Sequence, residues 1–375
     1  MPLDSTAVAR RQLARQITHW VLATDGLADL VGGADSQAWA SLERYLGVTL
    51  RGNLLAAVDR LRTDVAVLRA LHAAAHGPAE LRQLGGHVLA FRARYLRTET
   101  LVEFYANAVS ARTNPDMALL LRAYDWMARQ SMAPVLERTG QAVPPVLTYF
   151  DRGLGASILK AGLRLWDGGT LSAAAAIKVT YHNRRRPTAL IHETGHQVAH
   201  LIGWNGELAA LLGGLPGLPA DVAEAWSGWA SEIAADAFAF CHTGFAAVAA
   251  LADVVAGESQ QVFRFHPGDP HPISYLRVAL GVEMCVRWFG SGPWEELGRM
   301  WADTHPLEAA EPGVRQLVRA SLPALPAVVE ASLRGPLRKL GGRGIADIVD
   351  PHRVRPDALR ALAAEAGAAL LVSPH

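Results

Sequence analysis

Two short segments of the chain carry residue types that bind metal ions and transfer protons. Residues 192–196 read His-Glu-Thr-Gly-His, and Glu232 opens a second acidic segment further along. Residues four apart lie on one face of a helix, so His192 and His196 can direct two imidazoles at one tetrahedral metal ion. Glu193 lies at the edge of that face, within reach of a water molecule that the metal activates. The spacing predicts zinc-dependent hydrolysis with Glu193 as the general base.

A third protein ligand is required, because a hydrolytic zinc site takes three and keeps one position for water. Glu232 is the preferred prediction, since it lies in an apolar helical segment where an unpaired carboxylate is costly. Asp236, one turn further on, is predicted to accept the second ring N–H of a ligand histidine. His200, one turn beyond His196, is predicted to lie behind the ligands or simply to be packed. Acids nearer to helix starts or loops are rivals for the third position: Glu207, Asp221 and Glu224.

Both segments must lie on helices for these spacings to work. The residues around the histidine pair are mostly apolar, and buried His or Glu without partners would be costly, so a metal ion satisfies them most simply. Pro187 is predicted to open the motif helix in its first turn, and Gly203 to end it. The second helix is predicted from about Asp221 to His242.

The region before the motif is predicted to be a helical bundle. Apolar residues recur at three- and four-residue spacing, as in Leu54, Val58 and Leu61. The Gly-Gln-Ala-Val-Pro-Pro run at 140–145 is typical of a boundary. We expect a bundle over 1–140, a catalytic region over 146–310 and a C-terminal helical extension over 311–375. The predicted helices of the bundle lie near 5–24, 36–47, 53–75, 79–96, 99–112 and 115–139.

Between the bundle and the motif helix, the sequence predicts a small antiparallel sheet. Three short segments rich in β-formers, Val146–Phe150, part of Ile158–Trp166 and Ile177–Tyr181, are separated by Asp-Arg-Gly at 151–153 and Asp-Gly-Gly at 167–169. The fold class is therefore mainly α, as an α+β arrangement. An extended substrate is predicted to pair with an edge strand within Ile177–Tyr181.

Composition limits the classes of partner. Half of the 375 residues are hydrophobic, which allows a sizeable core, and the net charge of +1 gives no support for nucleic acid or an anionic membrane as the main partner. Two cysteines, Cys241 and Cys285, are too few for a disulfide framework. Neither a signal peptide nor a membrane span is visible, so a soluble, cytoplasmic protein is expected.

With these residues in place, the chain resembles the gluzincin zinc peptidases, the clan that includes thermolysin and the CAAX prenyl protease type. The comparison rests on the His-Glu-x-x-His motif at 192–196 followed by Glu-x-x-Ala-Asp at 232–236. A third segment, His-Pro-Ile-Ser-Tyr-Leu-Arg at 271–277, is similar to the His-Pro-x-x-x-x-Arg stretch of prenyl-protease-type enzymes. The resemblance covers about residues 175–285 and includes none of the membrane helices typical of that type.

For the residues already discussed, the resemblance implies the same roles as zinc ligands, base and supporting acid: His192, His196, Glu232, Glu193 and Asp236. It also implies that His271 and Arg277 contact the substrate or the oxyanion. An alternative for this segment is a helix start with Asp269 as a cap and Arg277 in an ordinary ion pair.

We therefore predict a zinc metalloendopeptidase that acts on a peptide or protein. Glu193 would take a proton from water and pass it to the leaving amine, and His271 or Arg277 would stabilise the oxyanion. One alternative is a non-catalytic interaction protein stabilised by zinc, which has no need of Glu193 as a base. Another is a zinc hydrolase of a non-peptide amide, such as a deformylase-like enzyme, but these usually take a cysteine ligand from upstream of the motif, and none lies there.

Overall fold

The described part of the protein is mainly helical, with 78% helix and one small three-stranded sheet. The structure is a computed structural model that describes residues 5–33, 36–47, 49–151, 157–159 and 174–367. The chain forms two compact units, the first made of residues 1–123, 144–150 and 159–178 and the second of residues 124–143, 151–158 and 179–375. The predicted mainly helical fold class is confirmed, while the gluzincin-like character of the second region stays a prediction.

Four helices form most of the first unit: α1 (Ser5–Gly33), α2 (Ser36–Leu46), α3 (Arg51–Ala74) and α4 (Pro78–Ala111). The side chains whose spacing predicted them are buried, for example Leu54, Val58 and Leu61 of α3. The two helices predicted near 79–96 and 99–112 are one helix, α4. No helix-breaking residue separates them, and the Thr98 hydroxyl donates to the Arg94 carbonyl within the continuous helix.

The fifth helix, α5 (Pro115–Leu136), begins after a side-chain cap. Oδ1 of Asn114 accepts the amides of Asp116 and Met117 at 3.0 and 3.1 Å. The helix tightens into a 3-10 turn over Glu137–Thr139, and Gly140 ends it with a φ of 68°. The end of α5 is therefore close to the predicted one, because glycine adopts this left-handed conformation without strain.

The sheet consists of β1 (Val146–Asp151), β2 (Ser157–Leu159) and β3 (Ala175–Thr180) in the order β1-β3-β2. The predicted antiparallel sheet of consecutive hairpins is wrong, since the sheet is mixed and β1 pairs with β3. The Ala175 amide donates to the Pro145 carbonyl, so β1 and β3 begin side by side. Most residues of β1 and β3 are buried on both faces, and such strands give no alternating pattern from which pairing can be read.

The position of β3 also overturns the predicted substrate strand. The segment Ile177–Tyr181 coincides with β3 as far as Thr180, and β3 lies between β1 and β2. A central strand has partners on both sides, so it does not offer the free edge that a pairing substrate needs. The predicted turns at 151–153 and 167–169 lie outside the described residues, apart from Asp151.

The second unit is built from short helices joined by tight turns. The helix predicted from Asp221 to His242 is two helices, which separate at Trp229 between Gly228 and Ala230. Trp229 is buried, and its amide still donates to the carbonyls of Ala225 and Trp226. The helices are α6 (Thr188–Ile202), α7 (Trp204–Gly213), α8 (Ala220–Gly228), α9 (Ala230–Thr243), α10 (Phe245–Val255), α11 (Ser259–Val262), α12 (Ser274–Phe289), α13 (Pro293–Thr304), α14 (Pro312–Ser321), α15 (Leu325–Arg334) and α16 (Pro356–Ala366).

None of the helices in the described part of the chain is both long and apolar enough to cross a membrane. The longest, α4, has 34 residues, and charged side chains interrupt it along its length.

Candidate metal centre

The histidine pair lies on α6, whose ends agree closely with the sequence. Pro187 occupies the N-cap position, one residue before the predicted first turn. Gly203 ends the helix with a φ of 76°, a left-handed conformation that glycine adopts without strain. Most apolar side chains of α6 are buried, and those of Leu190 and Val198 are fully buried. The motif therefore stands on a helix that packing holds in place.

Gly195, inside the motif, allows α9 to approach α6 closely. A Cβ at this position would lie 2.9 Å from the Cα of Ala235 and 3.0 Å from the Cβ of Phe238. These neighbours are backbone and the base of a side chain, so they cannot move aside without shifting α9. The crossing brings the acids of α9 opposite the histidines of α6.

The three predicted ligands converge at this crossing. Donor atoms of His192, His196 and Glu232 all lie within 4.8 Å of one another. Nε2 of His196 is 3.1 Å from Oε1 of Glu232, and Nε2 of His192 is 3.5 Å from Oε2. The three side chains form a group that could hold a metal ion, and the described residues contain no other group of this kind.

The Nδ1 atoms of His192 and His196 also contact residues of α9. Oδ1 of Asp236 lies 2.9 Å from Nδ1 of His192, which is the contact predicted for this acid. Oγ of Ser231 lies 3.3 Å from Nδ1 of His196. Burial opposes a charge on His192, but its bonds to Asp236 and Glu232 outweigh burial and raise its pKa to about 10.

Arg277 of α12 is bonded to both acids of α9. Its Nε donates to Oδ2 of Asp236 at 2.6 Å, and its Nη2 donates to Oδ1 of Asp236 and to Oε2 of Glu232, each at 2.9 Å. Only 10% of its side chain is exposed. Burial opposes ionisation of both carboxylates, but contacts with the histidines and Arg277 hold the pKa of Glu232 and of Asp236 below the ordinary values. The guanidinium is thus engaged with the acids.

Glu193 is buried beside this group, with 6% of the residue exposed. Burial raises the pKa of its carboxyl, while the charges of His192, His196 and Arg277 act in the opposite direction. Within the described residues, its carboxylate makes no hydrogen bond or ion pair. An acid with this degree of burial is normally paired, so Glu193 differs from Glu232 and Asp236.

His271 lies on the exposed side of the group. Its side chain is 61% exposed, and its Nε2 is 3.8 Å from Oε1 of Glu232. Oδ1 of Asp269 accepts both the backbone amide of His271 at 3.0 Å and its Nδ1–H at 2.7 Å. Asp269 does not cap α12, whose N-cap residue is Ile273. The predicted segment at 271–277 thus splits, with His271 at the surface and Arg277 in the interior.

The rival acids and the third histidine lie outside the group. Glu207 accepts the backbone amide of Arg338 at 2.9 Å and its Nε–H at 3.2 Å. Asp221 and Glu224 are exposed on α8, and His200 is exposed on α6. Of the four acids considered for the third ligand position, Glu232 is therefore the one that the fold brings to both histidines.

Two features of this centre were not read from the sequence. Ser231 was missed because a serine in a helical first turn usually bonds to the backbone. The tight packing at Gly195 was missed because a helical glycine is equally common where nothing approaches. The signal for Ser231 was its place next to Glu232, on the same side of α9.

Comparison with known proteins adds no relative. The chain matches no protein-family model, no curated protein and no solved structure. The resemblance to gluzincins therefore stands on the three motifs, and the roles that it implies are proposals.

Proposed function

We propose that this protein is a zinc-dependent metallopeptidase with Glu193 as its general base. The observation that carries the proposal is the carboxylate of Glu193, which is buried without a hydrogen bond or ion pair in the described part of the chain. It follows His192 in the sequence, and the charges of the ligand group act on the pKa of its carboxyl. Burial raises the pKa of this carboxyl, and the charges of the ligand group lie beside it, so a chemical role explains its presence better than packing does.

The donor set fits zinc. Two imidazole nitrogens and one carboxylate are the ligands of a common class of hydrolytic zinc site, which keeps its fourth position for water. Oε2 of Glu232 accepts a hydrogen bond from Arg277, which leaves Oε1 to a metal ion. Zinc bound there would supply the positive charge that acidifies a water molecule and polarises a carbonyl.

Glu193 would move the proton. Burial raises the pKa of its carboxyl towards the working range, where a base both accepts and releases a proton readily. The carboxylate accepts a proton from the attacking water and transfers it to the nitrogen of the leaving amine. The peptide C–N bond breaks in this step, and the carboxylate is regenerated.

The two residues of the third motif receive different roles. Arg277 is buried against Asp236 and Glu232, so we assign it to positioning these acids rather than to the oxyanion. His271 is exposed near Glu232, and Asp269 accepts its Nδ1–H; when the ring carries a proton on each nitrogen, its Nε2–H can donate to the oxyanion of the substrate.

The geometry favours a catalytic site over a structural one. Structural zinc sites are closed by four protein ligands, whereas the group in the described residues has three. A zinc ion that only stabilises the fold would also need no base, and Glu193 would then be a buried acid without a use.

The test is hydrolysis of a mixed peptide library by the zinc-loaded protein and by Glu193→Gln. Glutamine keeps the shape of the side chain but cannot accept the proton, so we expect unchanged zinc content and a loss of activity by about a hundredfold or more. Glu207→Gln, an acid of the same unit outside the group, is the matched control and should retain full activity. Equal cleavage by wild type and Glu193→Gln would overturn the proposal, as would a zinc-loaded wild type that cleaves no peptide.

A further inference from the structure

Ser231 contacts the centre at a point to which neither the motifs nor the proposed mechanism gives a role. Its Oγ lies 3.3 Å from Nδ1 of His196, while the next residue, Glu232, faces Nε2 of the same ring at 3.1 Å. Two consecutive residues of α9 therefore hold both nitrogens of one imidazole. The ring is mostly buried, so the protein determines its orientation.

We propose that Ser231 is a positioning residue, whose hydroxyl accepts the Nδ1–H of His196 and so directs the Nε2 lone pair at the metal. The inference rests on the proposed metal centre. A neutral imidazole carries one ring proton, and a metal ligand must keep it on the nitrogen remote from the metal. The proton on Nδ1 needs an acceptor, and the hydroxyl of Ser231 is the acceptor that α9 provides.

The ordinary role of a serine at this place does not account for the contact. Ser231 lies in the first turn of α9, two residues after the N-cap position from which a serine hydroxyl commonly caps a helix. The N-cap residue of α9 is Trp229, and it makes no side-chain cap bond. The hydroxyl of Ser231 is instead directed across to α6.

The two ligand histidines are therefore held by unlike groups. Nδ1 of His192 meets the carboxylate of Asp236, whereas Nδ1 of His196 meets a neutral hydroxyl. A carboxylate also raises the basicity of the ring, while a hydroxyl fixes the tautomer and the orientation. We infer that Ser231 acts on the geometry of the site and leaves the charge of the site unchanged.

A threonine and valine pair isolates the hydroxyl. Ser231→Thr and Ser231→Val have the same shape, so packing effects cancel between them, and only threonine can accept the ring proton. Zinc affinity would be measured by competition with a chromophoric chelator, and the Co²⁺-loaded proteins would be compared by their visible absorption. Ser231→Ala against wild type gives the same comparison with a smaller side chain, and Ser227→Ala on α8 is the control.

We expect Ser231→Val to bind zinc about ten- to a hundredfold more weakly than Ser231→Thr, with a changed Co²⁺ spectrum. Ser231→Ala should be weakened to a similar extent, and Ser227→Ala should match wild type. Equal affinities and spectra for the threonine and valine variants, with tight binding in wild type, would overturn this inference alone. A wild-type protein that binds neither metal would overturn the inference and the proposed metal centre together.

Discussion

The helix cores of the two units differ in the polar side chains that they contain. Between α1, α3 and α4, the buried cluster of the first unit is apolar. The buried hydroxyls of Thr24 and Thr98 on these helices bond to carbonyls one turn earlier in their own helix. At the crossing of α6, α9 and α12, the interior instead holds histidines, carboxylates and a guanidinium: His192, His196, Glu193, Glu232, Asp236 and Arg277.

This difference separates a core that stability alone explains from a core that needs a further explanation. Replacing a buried ion pair by apolar residues is often neutral or stabilising, so charged groups in a core are poor evidence for selection on stability alone. The first unit shows that this chain can build a helix core from apolar residues. The charged core of the second unit is therefore the place to look for activity.

The largest expected contrast is between two arginine–aspartate pairs. Arg277 is buried with Asp236 at 2.6 Å, and its replacement by methionine removes the guanidinium from two buried carboxylates. We expect Arg277→Met to lower the free energy of unfolding of the metal-free protein by about 3–5 kcal/mol. Arg94 pairs with Asp64 at 2.9 Å in the first unit with 38% of its side chain exposed, and Arg94→Met should cost less than about 1 kcal/mol.

Urea unfolding of both variants in the presence of a chelator checks this contrast. If the two substitutions lowered the free energy of unfolding by similar amounts, burial would not determine how much the Arg277 ion pairs contribute to stability. The distinction between the two cores would then fail at its strongest point.

A second contrast separates the exposed part of the charged core from its surroundings. If His271 donates to the oxyanion, His271→Ala should lower the turnover rate by about a hundredfold, with zinc content and melting temperature unchanged. His266 lies in the same loop and bonds to Arg264, so His266→Ala is the matched control and should keep normal turnover. Normal turnover in His271→Ala would remove this residue from the catalytic machinery.

A third contrast uses one substitution in two helices. Gly195→Ala places a methyl group 2.9 Å from the backbone of Ala235, and such overpacking costs about 1–3 kcal/mol. Gly86→Ala in α4 meets nothing within 4 Å and should stabilise the protein by up to about 1 kcal/mol through helix propensity. Thermal melts give the sign of each change, and a chelator competition should show weaker zinc binding only for Gly195→Ala. A neutral Gly195→Ala would show that the helices are not held at this distance.

Sequence patterns predicted those parts of the fold that are determined by residues close together in the chain. The apolar spacing predicted the helices of the first unit, and Gly203 marked the end of α6 because its left-handed conformation depends on one residue. The order of the sheet was not predictable in this way. Pairing of β1 with β3 depends on contacts distant in sequence, and the buried strands carry no alternation that would reveal their partners.

In the candidate site, too, some features were predictable from local signals and others were not. The helical period predicted that His192 and His196 share a face, and the cost of a buried acid predicted that Glu232 faces them. The direction of Arg277 could not be read from its motif, since it follows from the packing of α12 against α9. The break at Trp229 was missed although Gly228 gave a local signal, because the apolar pattern continues through it.

The central claim is that the charged core of the second unit is a zinc site, and the metal content of purified protein tests it most directly. We predict about one zinc per chain in wild type and loss of most of it in Glu232→Ala, because removing one of three ligands abolishes the site geometry. Glu207→Ala and Glu224→Ala, which replace two of the three rival acids, should keep the wild-type content. Full zinc occupancy in Glu232→Ala, or a wild-type protein that takes up no zinc, would contradict the account.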